Sequence, residues 1–257
     1  ALICVYSVLT YSSFDVIYKF SLNAWTQSVF TSNAASVFAR TLVMGVGVTA
    51  LTLVLGYPVA YYMRFHLSET TGTLLLLFLV IPFWTSGIIR ALGYYPILGK
   101  SGVINQLLIL VGVLDQPLSW LLFSPFSQLV GYLENLIVFM IAPIYISLSQ
   151  LDSDLLDASE TLRGGPVDTF INVTWPLSLP GVAIGTIFVF VLTIGNFTIP
   201  TLLSSGSSTV STLIYLTVSS GLRYPSAAAL SLTLLAIVLG VVYALTRKVS
   251  LTEIAES

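Results

Sequence analysis

A single cysteine, Cys4, and a single histidine, His66, stand in 257 residues. One thiol cannot close an internal disulfide or build a cysteine-rich metal site. One imidazole argues against zinc or haem chemistry, which draws on several imidazoles or thiolates. Charge is scarce as well: 8% of residues are Asp, Glu, Lys or Arg, with nine basic against eleven acidic side chains and a net charge of -2. Nine scattered cations form no concentrated basic surface, so nucleic acid is excluded as a partner. What fills the chain is apolar, with 56% hydrophobic residues and a mean hydropathy of +0.97. Water cannot solvate such a composition as a globule. The expectation is an all-α integral membrane protein whose surroundings are membrane lipid.

The apolar runs divide the chain. Residues 1–37 read as the outer end of a first transmembrane helix followed by a polar outer loop, because Ala1 to about Ser13 is apolar and lacks the basic leader and cleavage site of a signal peptide. Residues 38–249 form the membrane domain, with spans expected at about 41–63, 72–92, 126–149, 181–203 and 226–246, each close to the ~20 residues a crossing helix requires. Gly45, Gly47 and Gly56 offer close helix approach in the first of these, and Pro82 predicts a kink in the second. Val103 to Val113 suits a short interfacial or re-entrant helix, Ser204 to Pro225 a loop, and 250–257 a polar tail. Runs this continuous do not fit the alternation of a transmembrane barrel. Sidedness is not set by charge: four basic residues fall on one side and five on the other.

One polar island interrupts the pattern. Leu151 to Gly181 holds five of the eleven acidic residues, Asp152, Asp154, Asp157, Glu160 and Asp168. Asp152 or Ser153 can cap a helix beginning at about Asp154, with acidic residues complementing its dipole. Leu155, Ala158, Ser159 and Leu162 recur every three or four residues and form one face. Gly164, Gly165 and Pro166 end that helix, and a second short amphipathic piece carries Val167, Phe170 and Ile171. Helices this short cannot bury their own faces. An interfacial helix on anionic lipid favours Lys and Arg, so this net acidic pair is expected to dock on a protein.

DASETLRGGPVDTFINVTWPLSLPG resembles the cytoplasmic loop of permease subunits from binding-protein-dependent ABC importers, whose pattern runs Glu-Ala-Ala, three residues, Gly, nine residues, Ile-x-Leu-Pro. Asp157, Ala158 and Ser159 fall on the opening triplet, Val173 on the Ile, Trp175 on the Leu and Pro176 on the Pro. Asp replaces Glu, Ser replaces the second Ala, and Arg163 holds the glycine position with Gly164 one place late. LGYPVAYYM (Leu55 to Met63), IPFWTSGIIR (Ile81 to Arg90), GVINQLL (Gly102 to Leu108) and WPLSLPGVAIGTIFVF (Trp175 to Phe190) extend the similarity to the spermidine/putrescine permease branch. The resemblance implies a type I importer transmembrane domain of six helices per subunit, working in pairs in the bacterial inner membrane, with the 151–180 loop and the C-terminus cytoplasmic. It further implies a dimer of ATP-binding subunits, a second permease and an extracytoplasmic solute-binding protein as partners. Asp154, Leu155, Asp157, Ala158, Ser159, Leu162, Arg163, Gly164 and Gly165 would meet the ATPase.

No G-x-x-x-x-G-K-[ST] stands in the chain. Catalysis is therefore not expected here, and no cofactor belongs to this chain; ATP and Mg would sit on the partner. Glu134 lies inside the 126–149 run, where an ionised carboxylate is costly and faces a partner or a watery cavity. It would suit a cationic substrate such as a polyamine; equally it could be neutral, or paired with Asn135 or a Tyr hydroxyl. Asn196, Trp84, Thr85 and Ser86 are the other candidates for the substrate path. The same scaffold could carry ferric iron, thiamine, a phosphonate, or an opine or amino-acid-like compound. A secondary transporter or channel would need ion-coupling carboxylates or a repeated half, and a membrane enzyme a catalytic cluster. Neither pattern is present.

Overall fold

The computed structural model describes residues 2–12, 15–151, 165–204 and 209–248. Chain order begins with α1 (Leu2–Tyr6), an antiparallel hairpin of β1 (Leu9–Ser12) and β2 (Asp15–Phe20), and α2 (Asn23–Ser28). The apolar start expected to be the outer end of a spanning helix is helical at Leu2–Tyr6 and passes into the hairpin at Leu9. α3 (Ser32–Phe65) follows, 34 residues capped by Thr31, whose hydroxyl accepts from the Ala34 amide at 3.1 Å.

α4 (Glu69–Val80) is capped by Ser68 and passes into a 3₁₀ turn over Ile81–Trp84. Beyond Thr85 and Ser86 come α5 (Gly87–Gly93), α6 (Tyr95–Leu98) and α7 (Val103–Leu110). The axis turns by 91° between Glu69–Trp84 and Gly87–Leu110. The 72–92 run, expected to cross with a kink at Pro82, therefore breaks instead. Proline lacks the amide that would continue the helix, and Thr85 is extended with ψ 140°.

α8 (Pro125–Ser149) begins with a reciprocal cap between Ser124 and Ser127. α9 runs Pro166–Gly195 with one π-helical turn at Phe170–Thr174, and α10 (Thr198–Leu203), α11 (Val210–Ser219) and α12 (Tyr224–Lys248) complete the chain. The run expected to cross at 181–203 starts earlier and stops at Gly195. Pro176 does not break it, because the wide turn just before it accommodates a residue without an N–H. The expected 204–225 loop contains α11. Among the described residues, four helices are long and apolar enough to cross a membrane, and the bent pair makes a fifth when counted as one broken span.

α3, α8 and α9 form the core, with Val48, Tyr57, Tyr132, Met140, Ile144 and Val189 buried between them. A methyl group built on Gly56 would lie 3.3 Å from Met140 and Ile141, and one on Gly45 3.1 Å from Phe190 and Ile194. These two positions permit the close helix contact that lipid-embedded packing depends on. Gly47 has nothing within 4 Å and does not. Arg64, at the end of α3, donates from Nε to the Leu148 carbonyl at 3.1 Å and from a terminal nitrogen to that of Leu151 at 3.4 Å. It thereby adds a donor to the Leu148 carbonyl, which the Leu151 amide also reaches, and supplies one to that of Leu151 just past the end of α8. Large side chains such as Val43, Phe78 and Leu239 stay more than half exposed, as lipid-facing positions do.

Candidate functional site: a carboxylate within the bundle

α3 and α8 run in the same direction, since Arg64 at the end of one meets the end of the other. Glu134 lies nine residues beyond Pro125, about 14 Å along α8 from the opposite end of the bundle. The side chain that meets it is Arg90 on α5. One terminal guanidinium nitrogen donates to Glu134 Oε1 at 3.3 Å, and the other donates to Asn135 Oδ1. Asn135 Nδ2 donates to Glu134 Oε2 and to the Gly131 carbonyl, both at 2.8 Å. Arg90, Glu134 and Asn135 form a closed ring in which a buried amide orients the carboxylate and the arginine offsets its charge. Tyr94, on the turn after α5, also interacts with Glu134.

Burial within this ring is uneven. The Arg90 side chain is 13% exposed and that of Glu134 36%. Arg90 Nε is buried without an acceptor. One and two turns earlier on α8, Tyr132 and Gln128 are fully buried and face each other without a well-formed hydrogen bond. Polar groups thus line one flank of α8 from Gln128 to Asn135.

The other candidates lie elsewhere. Asn196 Oδ1 accepts from the Ile199 amide at 3.0 Å, capping α10 where the α9 helix has ended. Its side chain is committed to backbone, as is Ser211, whose hydroxyl donates to the Ile194 carbonyl. Trp84 is 85% exposed, and Thr85 and Ser86 are exposed beside it at the bend. None of these three is brought to the Glu134 ring by a hydrogen bond among the described residues. Arg90 was not among the sequence candidates. Its signal was present, because a carboxylate inside an apolar run calls for a cation, and IPFWTSGIIR ends on one.

Asp154, Leu155, Asp157, Ala158, Ser159, Leu162, Arg163 and Gly164 lie outside the described residues. Gly165 lies within them, and its amide donates to Asp168 Oδ2 at 3.2 Å at the start of α9. Phe170 packs edge-on to Tyr57 at 5.8 Å between ring centres, with Trp175 at 5.2 Å from the same tyrosine, so this end of α9 is pinned to α3 by aromatic contacts. Between α8 and α9 an apolar groove of about 420 Å³ is lined by Phe139, Pro143, Ile146, Gly181, Ile184 and Phe188. Among the described residues no group of three His, Cys, Asp or Glu is placed to hold a metal ion.

Comparison with known proteins places this architecture. Residues 52–250 match the family described as binding-protein-dependent transport system inner membrane component. The spermidine/putrescine transport system permease protein PotB of Salmonella typhimurium strain SL1344 is 34% identical over 172 residues, 67% of this chain and 59% of that protein. The inner membrane ABC transporter permease protein YdcU of Escherichia coli K12 is 31% identical over 216 residues, 80% of this chain and 69% of that one. The molybdenum transport system permease protein ModB of Azotobacter vinelandii is 30% identical over 154 residues, 58% of this chain and 63% of that one. The chain spans about three fifths of the length of the PotB proteins it matches. Among solved structures, a bacterial alginate ABC transporter in complex with an alginate pentasaccharide-bound periplasmic protein superposes with a TM-score of 0.70 at 16% identity, over 90% of this chain and 84% of that chain. At that identity the likeness speaks for the fold alone. The chain belongs to the binding-protein-dependent transport system inner membrane components, and its fold is that of a type I ABC importer transmembrane domain.

Proposed function

We propose that the chain is the permease subunit of an ATP-driven importer in a bacterial inner membrane, and that its cargo is a polyamine or related amine cation. It would form the translocation path with a second, related permease. An extracytoplasmic solute-binding protein would deliver cargo at the 32/125 end of the bundle. The 151–180 loop would seat on a dimer of ATP-binding subunits on the cytoplasmic side, where the C-terminus also lies, with Asp154 to Gly165 making the contact. ATP hydrolysis belongs to those partner subunits. Family membership and the PotB identity support the importer class. Identity alone does not choose the cargo, since ModB is nearly as similar. The observation that carries the amine reading is the Glu134 carboxylate, oriented by Asn135 and more than a third exposed within a membrane-spanning helix. A carboxylate in a low-dielectric surrounding is a counter-ion for an ammonium group, one whose charge Arg90 offsets in this conformation.

The test is purification of the tagged chain from its native membrane. An ATP-binding subunit and a second permease should come with it, and in proteoliposomes a putrescine-loaded binding protein should stimulate ATP hydrolysis and uptake together. Putrescine uptake driven by an ion gradient and indifferent to ATP would assign the chain to secondary transport instead.

A further inference from the structure

We propose that Arg90 is a specificity-determining residue of the Glu134 site: it occupies the carboxylate in this conformation and yields it to the ammonium group of an entering amine. The inference rests on the reading of Glu134 as part of the path. The hold of Arg90 on Glu134 is partial. A guanidinium that commits to a carboxylate places two parallel N–H groups on its two oxygens. Here one nitrogen reaches Glu134, the other goes to Asn135, and Nε has no acceptor. Glu134 has a lone pair to spare, since a carboxylate offers about four acceptor positions and Arg90, Asn135 and Tyr94 together claim no more than three of them.

The carboxylate is also the more open member of the pair, 36% exposed against 13% for Arg90. An ammonium can therefore approach without passing the guanidinium. Withdrawal does not strand Arg90, which keeps its bond to Asn135. The helix carrying it is seven residues long, lies directly after the break at Thr85 and Ser86, and has open space around both Gly87 and Gly93. Exchange also gives selectivity a physical basis. A net neutral ion pair attracts a cation weakly, so only a solute that can itself replace a guanidinium beside a carboxylate gains from entering. A neutral solute has nothing to exchange, and an anion would have to reach the guanidinium, which is the less exposed partner at 13%.

The experiment uses the complete importer complex in nanodiscs without binding protein, and reads equilibrium binding of radiolabelled putrescine beside the rate of uptake in proteoliposomes. Arg90→Gln removes the internal competitor. It should bind putrescine roughly 1.5-fold to fivefold tighter, the size expected when a partly exposed ion pair no longer competes, while uptake per complex slows. A damaged fold would not tighten binding. Arg90→Lys, a point charge without the fork, should fall between the two; if Arg90→Gln does not assemble, that variant alone decides, with unchanged or weaker binding counting against exchange. Glu134→Gln should lose putrescine binding. Loss in Glu134→Gln with no tightening in either arginine variant overturns the exchange and leaves Glu134 in the path. Putrescine binding that survives Glu134→Gln, or is absent from every form, removes Glu134 from the path and the exchange with it.

Discussion

Gly181 lies at a point of close contact between α8 and α9. A methyl group there would come within 2.5 Å of the Pro143 carbonyl oxygen, 2.7 Å of Ser147 Cβ and 3.0 Å of Ile144 Cα. Two of these three are backbone atoms of a long helix and cannot move aside alone. Gly181→Leu should cost roughly 1–3 kcal/mol of stability by overpacking, visible as a lowered unfolding temperature of the detergent-purified protein. An unchanged temperature would show that the two helices separate freely. At this scale the sequence was uneven. The need of Glu134 for a partner is legible, and Asn135 is named among the possibilities, but Arg90 reads only as a charge near the end of the 72–92 run. Forty-four residues separate the pair, and no periodicity links an acid on one helix to a base beyond a break. Gly45 and Gly47 looked equivalent in the sequence, yet only one faces another helix, because which side of α3 is covered depends on packing rather than composition.

Among the elements, α3, α8 and α12 are long and apolar enough to be located from hydropathy, whereas the break after α4 is not. IPFWTS is as apolar as a spanning helix except for its last two residues, and hydropathy records what a segment dissolves in, not whether it bends. α11 escaped for the opposite reason: VSTLIYLTVS is ten residues long, too short to register as a span. The β1–β2 hairpin was read as part of a helix and loop, its alternation being too short to stand out. Arg64 makes a separate claim about elements, because it ties the end of α3 to the last turn of α8 immediately before residue 152. Arg64→Ala should leave the chain in the membrane but loosen that junction, costing roughly 1–2 kcal/mol for a charged donor lost to two carbonyls. Faster amide hydrogen exchange confined to residues 145–151 would report it; exchange identical to the native protein would show that α8 ends firmly without the arginine.

For the whole molecule, the contact proposed to carry coupling lies in the polar island that the sequence singled out. The proposed ATPase contact depends on Ala158 and Ser159 being small enough for close approach. Ala158→Trp should preserve insertion and binding-protein docking while reducing substrate-stimulated ATP hydrolysis by roughly tenfold or more, as expected when a tightly packed central contact is overfilled. Normal stimulation with normal assembly would remove this segment from the coupling path. The fold class was readable from composition and the order of apolar runs, and the family from WPLSLPG and its companions. Orientation was not, because nine basic residues spread almost evenly over both faces carry no sided signal.

The π turn at Phe170–Thr174 sits inside that island, just before the apolar part of α9. A π turn holds one residue more than the α-helix around it needs. In regular α geometry that residue would turn everything before it by about 100° and push it out by about 1.5 Å, and the aromatic pins of Phe170 and Trp175 on Tyr57 would fall out of step with one another. The wide turn absorbs the residue locally, so the start of α9 keeps its angular phase against the spans, and a single deletion there that restored regular geometry would leave that phase unchanged.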